Sequence, residues 1–198
     1  MRLTERWPAD RSHVDRAAER LRQGAVIAFP TDTLYAVGAR ASDPAAVQRL
    51  YDIKRRPSAQ PMVWLVSGRT QVEPLAVLSE VAIALIGRFW PGPLTLILPA
   101  RNPLDSPTIA VRAPNHQVAL ALLDSLGEPI ASSSANLAGA SPPVDADQVI
   151  EGLGDTLDLV LDGGACQIGQ PSTILDLSGE SPRILRQGAI PRTELITP

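Results

Sequence analysis

Ala25-Val26-Ile27-Ala28-Phe29, closed by Pro30, is the stretch that decides the fold class. An unbroken apolar run of this length reads as a strand covered on both faces. Upstream, Ser12 is placed to cap a helix carrying Val14, Ala17, Ala18 and Leu21, with Gly24 as its stop. Downstream, Thr31-Asp32-Thr33 makes a polar turn. Asp43-Pro44 then offers a cap followed by proline in the first turn of a helix through Val47, Leu50, Tyr51 and Lys54.

The alternation continues outward. Met62–Val66 reads as a strand, and Ser79 caps a helix through Val81, Leu85 and Ile86 that must end before Pro91-Gly92-Pro93. Leu94–Leu98 and Thr108–Arg112 are strands with no helical pattern between them, so the sheet is expected to be mixed. Asn115 is expected to cap a helix through Val118, Leu122 and Leu123, stopped by Gly127. Pro129-Ile130-Ala131 runs into Ser132-Ser133-Ser134-Ala135-Asn136, and Asp145 opens a short helix ending near Gly152 and Gly154. Three apolar runs follow, around Leu159, Ile174 and Leu185. Interleaved strands and helices without a linker predict one α/β domain over residues 1–198.

Composition narrows the function. A net charge of -3 argues against coating nucleic acid by bulk electrostatics. The single cysteine, Cys166, excludes an internal disulfide and a multi-cysteine metal site, and reads as a small buried apolar residue. Two histidines, His13 and His116, are too few for a His-rich zinc centre. The first residues are charged and no apolar run approaches the ~18–20 residues of a membrane span, so a soluble, cytoplasmic protein is expected. The standard phosphate loops, G-x-x-x-x-G-K-[ST] and G-x-G-x-x-G, are missing.

Four polar clusters flank the apolar strands. Pro30-Thr31-Asp32-Thr33 with Tyr35 suits a small polar ligand at a strand end, and equally a Ser/Thr turn. Lys54-Arg55-Arg56-Pro57 is either a phosphate site or a solvated cap at the negative end of a helix. Thr108 and Arg112, four apart on a strand, share a face, and Arg112 would bind a carboxylate if that face lines a cleft. Ser132 to Asn136 is a dense set of donors for phosphate or carboxylate oxygens, or a loop of small residues.

In this order the clusters resemble the YrdC-like family of threonylcarbamoyl-AMP synthases. Phe29-Pro-Thr-Asp-Thr-Leu-Tyr35 is similar to P-T-[DE]-T-x-Y, and Lys54-Arg-Arg-Pro57 to K-x-R-P. Phe89-Trp-Pro-Gly-Pro-Leu-Thr95 is similar to W-P-G-P-[LY]-T. Thr108–Pro114, Ser134-Ala-Asn136, Ser172–Asp176 and Leu185–Ile190 match later motifs, so the resemblance spans about residues 12–192. It implies a twisted mixed sheet with flanking helices around a large positively charged cavity. It also implies a reaction in which L-threonine, bicarbonate or CO2, and ATP give threonylcarbamoyl-AMP and pyrophosphate. Partner proteins would then transfer the threonylcarbamoyl group to tRNA, with direct tRNA contact left open.

Carried over residue by residue, the resemblance implies that Thr33, Arg112, Ser132 and Ser172 hold threonine. Lys54, Arg56, Gln60, Thr108, Ser134, Asn136, Pro142 and Arg186 would hold ATP, with Lys54, Arg56, Ser134 and Asn136 as the catalytic set. Mg²⁺ is expected on the ATP phosphates rather than in a protein cage, with Asp32 helping through a water. The pattern is broken where Ala36-Val37 replaces Gly-Leu and where Leu65 stands at a position that some relatives fill with histidine. The chain ends at Pro198, so the extra C-terminal domain of the longer branch is expected to be missing. A double-stranded-RNA-binding relative and a carbamoyl-transfer relative are the alternatives.

Overall fold

A computed structural model describes residues 4–55, 60–102 and 106–195. The run at 25–29 becomes the second strand of a mixed sheet. In chain order the strands are β1 Glu5–Pro8, β2 Ile27–Phe29, β3 Ala36–Arg40, β4 Val63–Leu65, β5 Leu94–Pro99, β6 Thr108–Arg112, β7 Ile130–Ser134, β8 Leu159–Asp162, β9 Thr173–Asp176 and β10 Arg183–Arg186. The helices are α1 Arg11–Arg22, α2 Pro44–Lys54, α3 Arg69–Val72, α4 Glu80–Phe89, α5 Gln117–Leu126, α6 Ala146–Leu153 and α7 Arg192–Leu195.

The strands lie in the order β1-β8-β2-β3-β7-β4-β6-β5-β9-β10. As the missing helix between residues 98 and 108 predicts, β5 and β6 are antiparallel neighbours, while β4–β6 and β5–β9 are parallel.

Side chains alternate across each strand, so the sheet has two faces with different cover. Val26, Ala28, Val37, Ala39, Ala131 and Val160 point to one face and pack under α2 and α6. The same face continues through Leu94, Leu96, Leu98 and Val111 beneath α4. On the opposite face, Ile27, Phe29, Ile130 and Leu159 pack under α1 and α5. That helical cover reaches Leu65 on β4. Beyond it, over β6, β5 and β9, the second face borders a cavity. The uneven cover places the site.

Two caps differ from the sequence reading. Asp10, not Ser12, caps α1, because its carboxylate accepts from His13 N at 3.1 Å while Ser12 lies inside the first turn. His116, not Asn115, caps α5, its Nδ1 accepting from Val118 N at 3.3 Å. The stops hold: Gly127 takes a left-handed φ of 79°, where a side chain would be strained. Strands β1 and β3 carry no apolar run to mark them, and β3 has Gly38 at its centre. A Cβ there would stand 2.5 Å from Ile130 Cγ2, so glycine permits the close approach of β3 to β7. None of the described helices is long and apolar enough to cross a membrane.

The His116 cap makes stability depend on pH. Burial pushes its pKa below the usual 6.5, with Asp32 opposing. The unfolded chain therefore binds a proton more readily than the folded one, and a protonated Nδ1 can no longer accept from Val118 N. The cap's stabilisation, about 1 kcal/mol, is present above the unfolded pKa and lost as pH falls through the lower folded value. Urea midpoints from neutral to mildly acidic pH should fall more in the natural chain than in His116→Asn. Equal falls would exclude the cap as the cause.

Candidate active site

The uncovered half of the sheet forms the wall of a cavity of about 530 Å³, within the range of ligand pockets. Its sheet wall is built from alternate residues, Thr95 and Ile97 on β5, Ala110 and Arg112 on β6, Val63 and Leu65 on β4, and Ser132 and Ser134 on β7. The turn after β2 and residues 171–172 and 185–186 close around it.

All four residues expected to hold threonine line this one cavity: Thr33, Arg112, Ser132 and Ser172. Of the set expected to hold ATP, Gln60, Ser134, Pro142 and Arg186 line it as well. Lys54 and Asn136 are bonded behind the wall. Thr108 shares the face of Arg112 but lies four residues, about 13 Å, along β6, and the β6 part of the wall stops at Ala110. Arg56 lies outside the described residues.

Arg112 is 6% exposed and held from three sides. Nε donates to Gly92 O at 3.0 Å, Nη1 to Thr33 Oγ1 at 2.8 Å, and Nη2 to the Asp32 carboxylate. A guanidinium has five N–H bonds, so one remains on each terminal nitrogen for a ligand. The turn that carries its partners is fixed by Thr31, whose Oγ1 accepts from Thr33 N and Leu34 N and donates to Leu34 O. The Ser/Thr turn and the ligand site are therefore the same object.

Arg186 faces the cavity from β10. Its Nε and Nη2 donate to Ser172 O at 3.1 and 2.9 Å, and Nη2 also reaches Ser172 Oγ at 3.1 Å. Two guanidinium groups thus line one space, and no Asp or Glu stands among its described lining residues. Burial pushes the Arg112 pKa down, Asp32 opposes this, and nearby Arg186 adds to the lowering. Two guanidinium groups against the one carboxylate of Asp32 make this end of the cavity attractive to an anion.

Lys54 is no solvated cap. It is 3% exposed, and its ammonium donates to Ser134 O and Asn136 O, tying the end of α2 to the exit of β7. Asn136 Nδ2 donates to Leu137 O and Ala140 O at 2.9 and 2.7 Å, closing the loop that follows. Its buried Oδ1 has no partner among the described residues.

Burial holds two potential nucleophiles in their protonated forms. Burial pushes the Tyr35 hydroxyl up to about 12, and it donates to Gly164 O at 2.9 Å. Burial also pushes the Cys166 thiol up to about 11, in keeping with a half-buried packing residue. The arrangement can bind anions, orient them and offset charge.

Sequence reasoning missed Asp32 as the partner of Arg112, Gly92 as a third support, and Thr95 in the wall. The only signals were the lone acid in a hydroxyl turn and the otherwise unassigned motif at 89–95.

A family profile, Sua5/YciO/YrdC, described as "Telomere recombination", matches residues 19–188. A threonylcarbamoyl-AMP synthase of Pyrococcus abyssi (strain GE5 / Orsay) is 40% identical over 186 residues, 90% of this chain and 55% of that protein. One of Vibrio parahaemolyticus serotype O3:K6 (strain RIMD 2210633) is 34% identical over 177 residues, 85% of this chain and 95% of that protein. The crystal structure of P. abyssi Sua5 complexed with L-threonine aligns with a TM-score of 0.91 at 38% identity, covering 98% of this chain and 59% of that one. The chain therefore spans little more than half the length of the archaeal relative. With the profile covering most of its length and the ordered motifs meeting in one cavity, the chain belongs to the Sua5/YciO/YrdC family.

Proposed function

We propose that this chain makes L-threonylcarbamoyl-AMP and pyrophosphate from L-threonine, bicarbonate or CO2, and ATP. The observation that carries the reading is the placement of Arg112 and Arg186 on one cavity, with two N–H bonds of the buried Arg112 left to grip a carboxylate. Threonine sits with its carboxylate on Arg112 and Thr33, near Ser132 and Ser172. ATP lies along Gln60, Ser134 and Pro142 with its phosphates toward Arg186, and Arg56, outside the described residues, is kept as a proposed ATP-binding residue from the motif alone. Thr108, further along the same face of β6, is kept as a contact for the far end of the nucleotide.

The reaction needs no protein nucleophile. The free amine of threonine adds to CO2 and loses a proton, giving a carbamate. A carbamate oxygen then attacks the α-phosphate in line, and pyrophosphate leaves. Holding the reactants together is worth about 7–11 kcal/mol in well-oriented cases. The cations offset charge where it accumulates in the transition state. Lys54 contributes by fixing the backbone that carries Ser134 and Asn136.

Mg²⁺ would accompany ATP as the counter-ion of its phosphates, since the described lining residues offer hydroxyls and the Gln60 amide rather than a carboxylate cage. Asp32 is turned to Arg112. Water destroys the mixed anhydride product, so it passes to proteins that transfer the group to tRNA in the cytoplasm.

Pyrophosphate release tests this directly. It should require ATP, threonine and bicarbonate together and fall to background when threonine is omitted. Release that ignores threonine would reject the reading.

A further inference from the structure

The motif Phe89-Trp90-Pro91-Gly92-Pro93-Leu94-Thr95 has no ligand role in the reading above, yet it supports both cavity arginines. Gly92 O holds Arg112. Thr95 Oγ1 lies 2.8 Å from Ser172 Oγ, which accepts from Arg186. The segment is rigidly tied: Gly92 N donates to Ala113 O at 2.8 Å, Thr173 N to Pro93 O at 3.0 Å, and Trp90 Nε1 to Leu94 O at 2.7 Å.

Counting protons gives the pair a direction. A guanidinium only donates, so Ser172 Oγ is an acceptor toward Arg186. If Ser172 donates to Thr95, the Thr95 hydroxyl proton has no acceptor among the described residues. If Thr95 donates to Ser172, the Ser172 proton has none among them. Thr95 is 0% exposed, Ser172 is 5% exposed, and both line the cavity. Either way, one O–H from a dry pair is left for a ligand.

The pair stands beside the Arg112 fork. Leu96 pairs with Val111 in the antiparallel β5–β6 ladder, and the next step of that register sets Thr95 opposite Arg112 on the same face. Such side chains start about 4.5–5.5 Å apart, the reach of one small amino acid. Arg112 already supplies the donors for a carboxylate. Leu65, Ile97 and Ala110 add an apolar wall next to the pair.

We propose that Thr95 is a specificity-determining residue: with Ser172, polarised by Arg186, it gives one hydroxyl donor to the side-chain oxygen of a β-hydroxy amino acid held on Arg112. The inference rests on the amino-acid reading of this cavity and deepens it. A substrate without that oxygen leaves the spare O–H unsatisfied, whereas a protein without the Thr95 hydroxyl keeps the Ser172 proton but loses the partner that fixes its direction.

The test is calorimetric titration of the full chain with L-threonine and with L-α-aminobutyrate, which lacks only the hydroxyl. The natural chain should bind threonine about tenfold or more tightly than α-aminobutyrate, the loss expected for an unmade buried hydrogen bond. Thr95→Val, nearly equal in volume, leaves the Ser172 O–H unaimed and should lose several-fold of that preference for threonine while changing little for α-aminobutyrate. Thr95→Ser should recover most of it. If Thr95→Val does not fold, Thr95→Ala carries the same comparison. Equal weakening of both ligands, or none, overturns the proposal while leaving the amino-acid site intact. A natural chain that binds neither ligand overturns the amino-acid reading itself.

Discussion

Arg112→Ala raises the threonine concentration needed for half-maximal turnover by about 100-fold or more, and the ATP requirement far less. A bidentate, charge-assisted contact in a buried site is worth about 3 kcal/mol or more, and each 1.4 kcal/mol is about tenfold. Folding suffers too. Asp32 is 2% exposed, and without Arg112 it is an unpaired buried carboxylate, a loss of about 3–5 kcal/mol. Adding Asp32→Asn to Arg112→Ala removes that charge and should restore much of the melting temperature without restoring threonine binding. Arg112→Lys keeps the charge but not the fork and should fall between. Steady-state rates with each substrate varied in turn separate these outcomes. Equal rises in both requirements would reject the carboxylate role.

Lys54→Ala lowers turnover about 100-fold or more. The ammonium satisfies two carbonyls at the exit of β7, Ser134 O and Asn136 O. Removing it from a 3% exposed position deprives Asn136 O of its donor, which costs about 1–3 kcal/mol if the acceptor stays buried and unsatisfied, while Ser134 O retains the bond from Asn136 N at 2.9 Å. The segment that aims Ser134 at the cavity then shifts, and small misplacements of positioning groups are costly in rate. Lys54→Met keeps most of the apolar stem, so it should hold the fold better than alanine yet remain equally slow. Pyrophosphate release at saturating substrates, beside thermal unfolding, reads both effects. Near-normal rates in the two variants would remove Lys54 from the mechanism.

The physics of legibility differs between fold and site. The run Ala25–Phe29 announces a strand because both of its faces are buried, Leu94–Leu98 does so through alternating leucines packed beneath α4, and helices α2 and α4 announce themselves through Asp43-Pro44 and Ser79. Edge strand β1 and glycine-centred β3 carry no such pattern, since tertiary pairing rather than local preference makes them strands. Capping misjudged Ser12 and Asn115 because a neighbour with a better-placed acceptor took each role.

At the site, the motifs named most of the wall but not its wiring. Asp32 reaches Arg112 across 80 residues, Lys54 reaches Ser134 across 80, and Thr95 reaches Ser172 across 77. Strand order sets such pairs, and no local spacing encodes it. Which face the helices leave uncovered is equally invisible in the chain, yet that decides where the cavity lies.

The central claim is that one cavity holds an amino acid beside a triphosphate. A crystal structure of the full chain with L-threonine and an ATP analogue blocked at the α–β bridge tests it most directly. The account predicts the threonine carboxylate on Arg112 and the analogue's phosphates near Arg186, both inside the cavity walled by β4, β6, β5 and β7. Ligands bound apart, or a threonine carboxylate away from Arg112, would contradict it.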